Sequence, residues 1–200
     1  MGEREKPPVG RPRSTASHQA ILEAARELLI NKGYAAMTIE GIAAKAGVGK
    51  QTIYRWWPNK AALFMELYER EATEYVRSPS LGSLRRELVE QTRNTLRFWR
   101  ETVSGQAYRS IIAEAQSDPQ ALERWRQEFM PKRRQYTLQT LLRAQKRGEL
   151  RPDLKLDVVT DLLYGYGWYR LLTDRLEEDG EVEAMVDALL EGILSRSNPS

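Results

Sequence analysis

The stretch Thr38–Lys60, TIEGIAAKAGVGKQTIYRWWPNK, offers two readings of its Gly49-Lys50 pair: a loop that grips nucleotide phosphates, or a turn leading into a helix. A phosphate loop needs G-x-x-x-x-G-K-[ST] after a buried strand, because glycines let backbone N–H groups wrap the anion and the hydroxyl ligates magnesium. Ala44 holds the place of the first glycine, Gln51 holds the place of the hydroxyl, and the residues upstream have helical spacing. The nucleotide loop fails on all three counts. Thr38 instead caps a short helix carrying Ile39, Ile42, Ala43 and Ala46, with Gly41 and the alanines allowing a neighbour close approach. Gly47 breaks it, Val48 is a lone apolar turn residue, and Gly49 starts a second short helix that Pro58 stops. Two short helices joined by a glycine-containing turn form a helix-turn-helix.

The second helix of such a motif enters the major groove, where its side chains reach base edges while flanking groups hold phosphates. Lys50 and Arg55 suit guanine O6/N7 or phosphate, Gln51 suits adenine N6/N7, and Thr52 suits a thymine methyl or phosphate. Ile53 is expected to point inward.

Working outward, residues 1–13 (MGEREKPPVGRPR) have three prolines, two glycines and no apolar period, which predicts a flexible basic arm. Arg11 and Arg13 flank Pro12 in an extended segment of the kind that enters a narrow minor groove. Residues 14–60 form the DNA-binding domain, opened by a helix with the stripe Ile21, Leu22, Ala25, Leu28 and Leu29 and closed by Gly33. Residues 61–80 form a connecting helix and linker. Residues 81–200 repeat helical stripes to the end, with Pro131 expected to interrupt one of them and two last helices from Asp157 and Glu181. The fold class is all-α: a three-helix DNA-binding domain with a helix-turn-helix, followed by a second helical domain, about nine helices in all.

Composition narrows the chemistry. There is no cysteine and one histidine, His18, which removes thiolate metal sites, disulfides and cysteine nucleophiles and leaves no credible catalytic pair. No metal or cofactor is expected. His18, between polar neighbours, is expected on the surface. The uncharged run Leu162–Tyr169 is eight residues, far short of the ~20 that cross a bilayer, so a soluble, cytoplasmic protein is expected. Residues 1–60 hold ten lysines and arginines against five acidic residues, whereas the rest is close to neutral, so the polyanion partner belongs to the first part.

The combination of Thr38, Ile42-Ala43, Ala46-Gly47-Val48, Thr52-Ile53-Tyr54, Trp56-Trp57, Pro58 and Lys60 resembles the tetracycline-repressor-like (TetR) transcriptional regulators. The resemblance implies that Thr38, Thr52, Tyr54 and Lys60 approach DNA phosphates while Lys50, Gln51 and Arg55 face the groove. Gly49 stands where that family commonly has a capping serine, and Trp57 where it usually has phenylalanine. Arg147–Leu172 more loosely resembles the regulatory domain of one branch of the family, whose last two helices form a four-helix interface between two copies.

Apolar surface beyond what two terminal helices need independently permits that interface, with Leu162, Tyr166, Tyr169, Met185, Val186, Leu189, Leu190 and Ile193 as its candidates. Gly165 and Gly167 cost a helix about 1 kcal/mol each relative to alanine, which a close helix contact would compensate. Trp99, Tyr108, Trp125, Phe129, Tyr136, Tyr164 and Trp168 are candidates for a small-molecule pocket, offering apolar area with a few donors. The expected protein is a homodimeric regulator, a repressor released from a palindromic operator by a small effector. The alternative is a small-molecule-binding or scaffold protein with a vestigial helix-turn-helix.

Overall fold

The computed structural model describes residues 12–76, 80–177 and 180–191, with side chains from residue 15 onward. Those residues are all-helical, without a strand among them. The chain divides into two compact units, Met1–Tyr68 and Glu69–Ser200.

In the first unit, α1 (Pro12–Ala36) buries Ile21, Leu22, Ala25 and Leu29, and Gly33 breaks its helical path at φ 74°. Next, α2 (Ile39–Ala46) begins at Thr38, whose Oγ1 accepts the Gly41 N–H at 3.1 Å. A Cβ on Gly41 would stand 3.2 Å from that Oγ1 and 3.6 Å from Leu28 Cδ1, so the small residue fits between the cap and α1. Gly47 is left-handed (φ 65°), and the Val48 N–H returns to the Ala43 carbonyl at 3.0 Å, closing α2 with a glycine cap. The short α3 (Lys50–Tyr54) follows, then α4 (Lys60–Tyr75), whose first turn is capped by Asn59 Oδ1 accepting the Ala62 N–H at 2.8 Å. Ile21, Ile42, Ile53, Leu63 and Phe64 have no exposed surface and form one core from all four helices. The division between the units falls inside α4.

The second unit contains α5 (Leu84–Glu101), α6 (Val103–Ser117), α7 (Pro119–Arg124), a π turn (Trp125–Phe129), α8 (Met130–Lys146), α9 (Leu156–Leu172) and α10 (Glu181–Glu191). The expected interruption at Pro131 takes the form of that π turn. A proline ring cannot donate to the carbonyl four residues back and crowds it, and the chain widens just before it, with the Met130 N–H reaching Trp125 O. Two local devices fix the packing of α5. Thr102 donates to Phe98 O at 2.9 Å and caps α6 by accepting the Gly105 N–H at 3.0 Å, turning the chain sharply. Glu87, wholly buried, accepts the Leu81 and Gly82 N–H groups at 2.9 and 3.1 Å and the Arg147 guanidinium at 3.3 Å, while Glu149 accepts the Leu84 N–H at 2.6 Å. The start of α5 and the loop after α8 are thereby stapled together.

A Cβ on Gly105 would stand 2.2 Å from Phe98 O and 2.6 Å from the Trp99 Cα, both backbone atoms that cannot swing aside. Gly105→Ala is therefore expected to destabilise the protein by about 3 kcal/mol, read as a lowered urea midpoint; an unchanged midpoint would contradict the close α5–α6 crossing.

Candidate DNA-binding site and the aromatic cluster

With five residues and no side-chain cap at Gly49, α3 takes its orientation from outside itself. Ile53 anchors it from below, and Trp57, 3% exposed, anchors the turn that follows. The opposite face carries Lys50, Gln51, Tyr54 and Arg55, all exposed, with Thr52 half-buried beside them. Thr38 is also exposed, and its hydroxyl can still donate to a phosphate while its oxygen caps α2. The structure thus brings the groove-facing candidates to one surface. Lys60 is half-buried at the first residue of α4, donating to the Tyr34 carbonyl at 3.2 Å with its Nζ 4.1 Å from the Tyr34 ring centroid. It ties α1 to α4 at the helix end whose free N–H groups favour an anion. Pro12 and Arg13 correct the expectation of an extended arm, since their backbone opens α1, while Arg11, the side chain of Arg13 and Ile193 lie outside the described residues.

Two acidic residues that spacing did not single out shape this surface. Glu40, in the first turn of α2, pairs with Lys50 at 3.0 Å, both side chains more than half exposed. Its carboxyl is held below the usual carboxylate range, first by its own backbone N–H and then by the Lys50 ammonium. Glu66 accepts the Trp57 indole N–H at 2.9 Å and faces His18 Nε2 at 3.2 Å. His18 corrects the expectation of a surface residue, with a side chain only 16% exposed. Its ring stacks on Trp57 (centroids 4.7 Å) and meets Trp56 edge-on (4.8 Å). Trp56, 42% exposed, keeps part of its surface in solvent beside the exposed face of α3.

In the second unit the aromatic candidates split into two strings. Trp99 stacks on Tyr108 at 6.0 Å and Tyr108 meets Phe129 at 5.7 Å; all three are core residues, 2–4% exposed. Trp125, on the π turn, lies 5.4 Å from Trp168 of α9, which meets Tyr164 edge-on at 5.8 Å. The strings join at Gly167, where a Cβ would stand 3.2 Å from the Trp99 indole. Burial pushes the Tyr164 phenol up to about 12, so it stays neutral at ordinary pH, hydrogen-bonded to Thr137. Tyr136 lies 5.2 Å from the guanidinium of the buried Arg133, which pairs with Glu69 at 3.3 Å. The indole N–H groups of Trp125 and Trp168 and Glu69 Oε1 are buried with no protein partner. Each such group costs about 1–3 kcal/mol. An open cleft of about 780 Å³ elsewhere in the unit is lined by Glu74, Tyr75, Leu81, Arg86, Glu90, Asn94 and Arg97, none of them from the aromatic cluster.

Of the interface candidates, Leu162 (56% exposed) and Tyr169 (59%) stand out on α9, and Leu190 (36%) on α10. Tyr166, Met185 and Leu189 are half-buried. Val186 is corrected: it is fully buried with Val182 one turn away, so this face of α10 packs into its own unit. Val158, Leu162, Gly165, Tyr169 and Leu172 form an exposed row on α9 at alternating spacings of four and three, the period of a coiled-coil seam. Gly167 faces Trp99 within its own unit, whereas Gly165 lies open on that row.

A helix-turn-helix with a basic, hydrogen-bonding outer face defines a DNA-binding protein. Residues 21–67 match the family model for bacterial regulatory proteins of the tetR family, and residues 78–189 match the tetracyclin repressor-like C-terminal domain. The chain is 37% identical over 189 residues to the uncharacterized HTH-type transcriptional regulator YdeS of Bacillus subtilis, covering 94% of this chain and 95% of that protein. It is 26% identical over 172 residues to the DNA-binding transcriptional repressor TetR of Mycobacteroides abscessus, covering 86% and 90%. The structure of the TetR family transcription regulator SCO0332 superposes with a TM-score of 0.78 at 33% identity, covering 90% of this chain and 99% of that one. The chain belongs to the TetR family of transcriptional regulators, and it is a DNA-binding regulator. Among the described residues no helix is long and apolar enough to cross a membrane.

Glu40 places a carboxylate 3.0 Å from the Lys50 ammonium on the exposed face, where any DNA phosphate or base edge that engaged Lys50 would have to compete with it. Glu40→Gln is expected to tighten duplex binding about two- to fivefold at low salt, measured by fluorescence anisotropy. Weaker binding would instead give Glu40 a supporting role.

Proposed function

We propose that this chain is a cytoplasmic repressor that binds a palindromic operator as a homodimer and is released by a small-molecule effector. The observation that carries the DNA role is the shared exposed face of Lys50, Gln51, Tyr54 and Arg55 on α3, held from below by Ile53. Lys50, Gln51 and Arg55 read base edges; Thr38, Thr52, Tyr54 and Lys60 hold phosphates, with Arg11 and Arg13 adding contacts in the minor groove. The exposed α9 row supports dimerisation, because an apolar stripe at coiled-coil spacing is costly to leave in water. Leu162, Tyr166 and Tyr169 of α9 meet their counterparts there, flanked by Met185, Leu189, Leu190 and Ile193 of α10. Dimerisation sets the two recognition helices ~34–36 Å apart, one turn of DNA.

Release works through α4. This one helix begins with Lys60 in the first unit and carries Glu69, bonded to the buried Arg133, in the second. An effector in the aromatic cluster that displaces Glu69 would turn α4 and spoil the half-site spacing. The supporting features are the continuity of α4 and the polar atoms left unpartnered along the cluster.

The test begins with selecting bound fragments from genomic DNA, followed by binding at increasing salt. Loss of affinity with salt on a preferred palindrome is expected; neither feature would leave the scaffold alternative. Lys50→Ala and Gln51→Ala should each relax preference at particular base pairs by about 1–3 kcal/mol, whereas Tyr54→Phe should weaken all sequences alike. Uniform loss from all three would overturn the division of roles.

The paired change Leu162→Glu and Tyr169→Glu should halve the mass seen by light scattering and abolish palindrome preference while leaving the helical circular dichroism intact. A dimer that survives both charges would place the interface elsewhere.

A further inference from the structure

The aromatic cluster holds two buried hydrogen-bond donors with no acceptor, the indole N–H groups of Trp125 and Trp168. They come from different elements, the π turn and α9, and their rings lie 5.4 Å apart. Tyr164 stands 5.8 Å from Trp168 and completes an aromatic wall. We infer that this cluster binds an uncharged, flat, ring-based molecule whose acceptor oxygens take the N–H groups of Trp125 and Trp168; the inference rests on the effector-responsive reading above.

Three observations select that chemistry. Flat aromatic faces favour a planar ring over a flexible chain, since stacking needs matching surfaces. The two indoles can only donate, so the complementary group is an acceptor such as a ketone, lactone or ether oxygen. Charge decides the rest. Arg133, buried beside the cluster, is already neutralised by Glu69, and Arg134 is turned to Asp157 and Asp161. Tyr164 carries no charge at ordinary pH. An anionic ligand would surrender its hydration while the guanidiniums of Arg133 and Arg134 are already engaged by carboxylates, whereas a neutral one loses little. The π turn fits this role: widened turns recur at functional sites, and this one carries Trp125 out of the register an α-helix would impose.

The test uses the full chain with tryptophans labelled with nitrogen-15 at the indole, their cross-peaks assigned from Trp125→Phe and Trp168→Phe. Three probes are titrated at pH 6.5: 7-hydroxyflavone, which is planar, neutral and acceptor-bearing; naphthalene, planar without acceptors; and decanoate, an anionic chain. 7-Hydroxyflavone is expected to bind, to move the Trp125 and Trp168 indole peaks, and to lose about tenfold in affinity with either substitution. The weaker binding of naphthalene should be the same in wild type and variants, which also reports that the cluster still folds. Tighter binding of decanoate, unmoved indole peaks, or no binding of 7-hydroxyflavone would overturn the inference, and the peak positions decide it in the wild type even if a variant fails to fold. Operator occupancy is followed in parallel by anisotropy. A probe that moves both indoles and leaves the operator bound supports the ligand class and sinks effector release. A different compound that frees the operator without moving them supports release and sinks the ligand class.

Discussion

A helix of five residues cannot hold itself together in water, because nucleating a helical turn costs more than so few hydrogen bonds return. In this protein the surface proposed to read DNA sits on such a helix, and the rest of the first unit is arranged to fix it. Ile53 is sunk into the core made by α1, α2 and α4, and the chain leaving α3 is held by Trp57, whose indole bonds Glu66 and stacks on His18. The Thr38 and Gly47 caps keep α2 short and steer the turn into α3. The missing serine cap at Gly49 is therefore compensated from the far end of the helix. Trp57 in place of the family's usual phenylalanine supplies an N–H for Glu66 that a phenyl ring lacks, which couples the aromatic pair to α1 through the lone histidine.

In the second unit the corresponding constraint is electrostatic. A carboxylate as deeply buried as Glu87 is tolerable only when fully bonded, and its partners are two backbone N–H groups before α5 and the guanidiniums of Arg147 at 3.3 Å and Arg143 at 3.8 Å. This accounts for the arginine and glutamate of the Arg147-Gly148-Glu149 turn: one meets Glu87, the other receives the α5 N-terminus. At the opposite end of the chain Arg170, 1% exposed, bonds the Glu177 carbonyl at 2.9 Å and reaches Glu181, fastening α10 to α9. Both staples join residues that periodicity alone treats as surface charges.

That contrast marks what a sequence discloses. The helices were legible because apolar period and capping residues are local, and α3's outward residues were legible because the turn and Ile53 set its phase. The burial of His18 is hidden from the sequence because its aromatic partners are 38 and 39 residues away, and no local pattern shows that they close over it. The pairing of Glu40 is hidden for the same reason, since its partner Lys50 belongs to the next helix. Val186 and Leu190 are both apolar and one turn apart on α10, so spacing does not separate them, yet the first is fully buried and the second 36% exposed. Gly167 and Gly165 likewise looked alike; only packing gives one of them an indole for a neighbour and the other open solvent.

The three faces of α9 bear on regulation. Thr160, Gly167 and Leu171 are buried against the unit's core; Tyr164 and Trp168 join the aromatic cluster; Val158, Leu162, Tyr169 and Leu172 form the exposed row. A helix this tightly seated moves as a body rather than bending locally. If a ligand settles against Trp125 and Trp168, the displacement it imposes on α9 reaches the seam proposed to join two copies, as well as α4 through Arg133 and Glu69. Linkage then works in both directions: a ligand that weakens operator binding by some factor is itself weakened by bound operator by the same factor. The coupling would be strongest in the dimer, where both α9 helices share one seam, and reduced in a monomer, where only the α4 route remains.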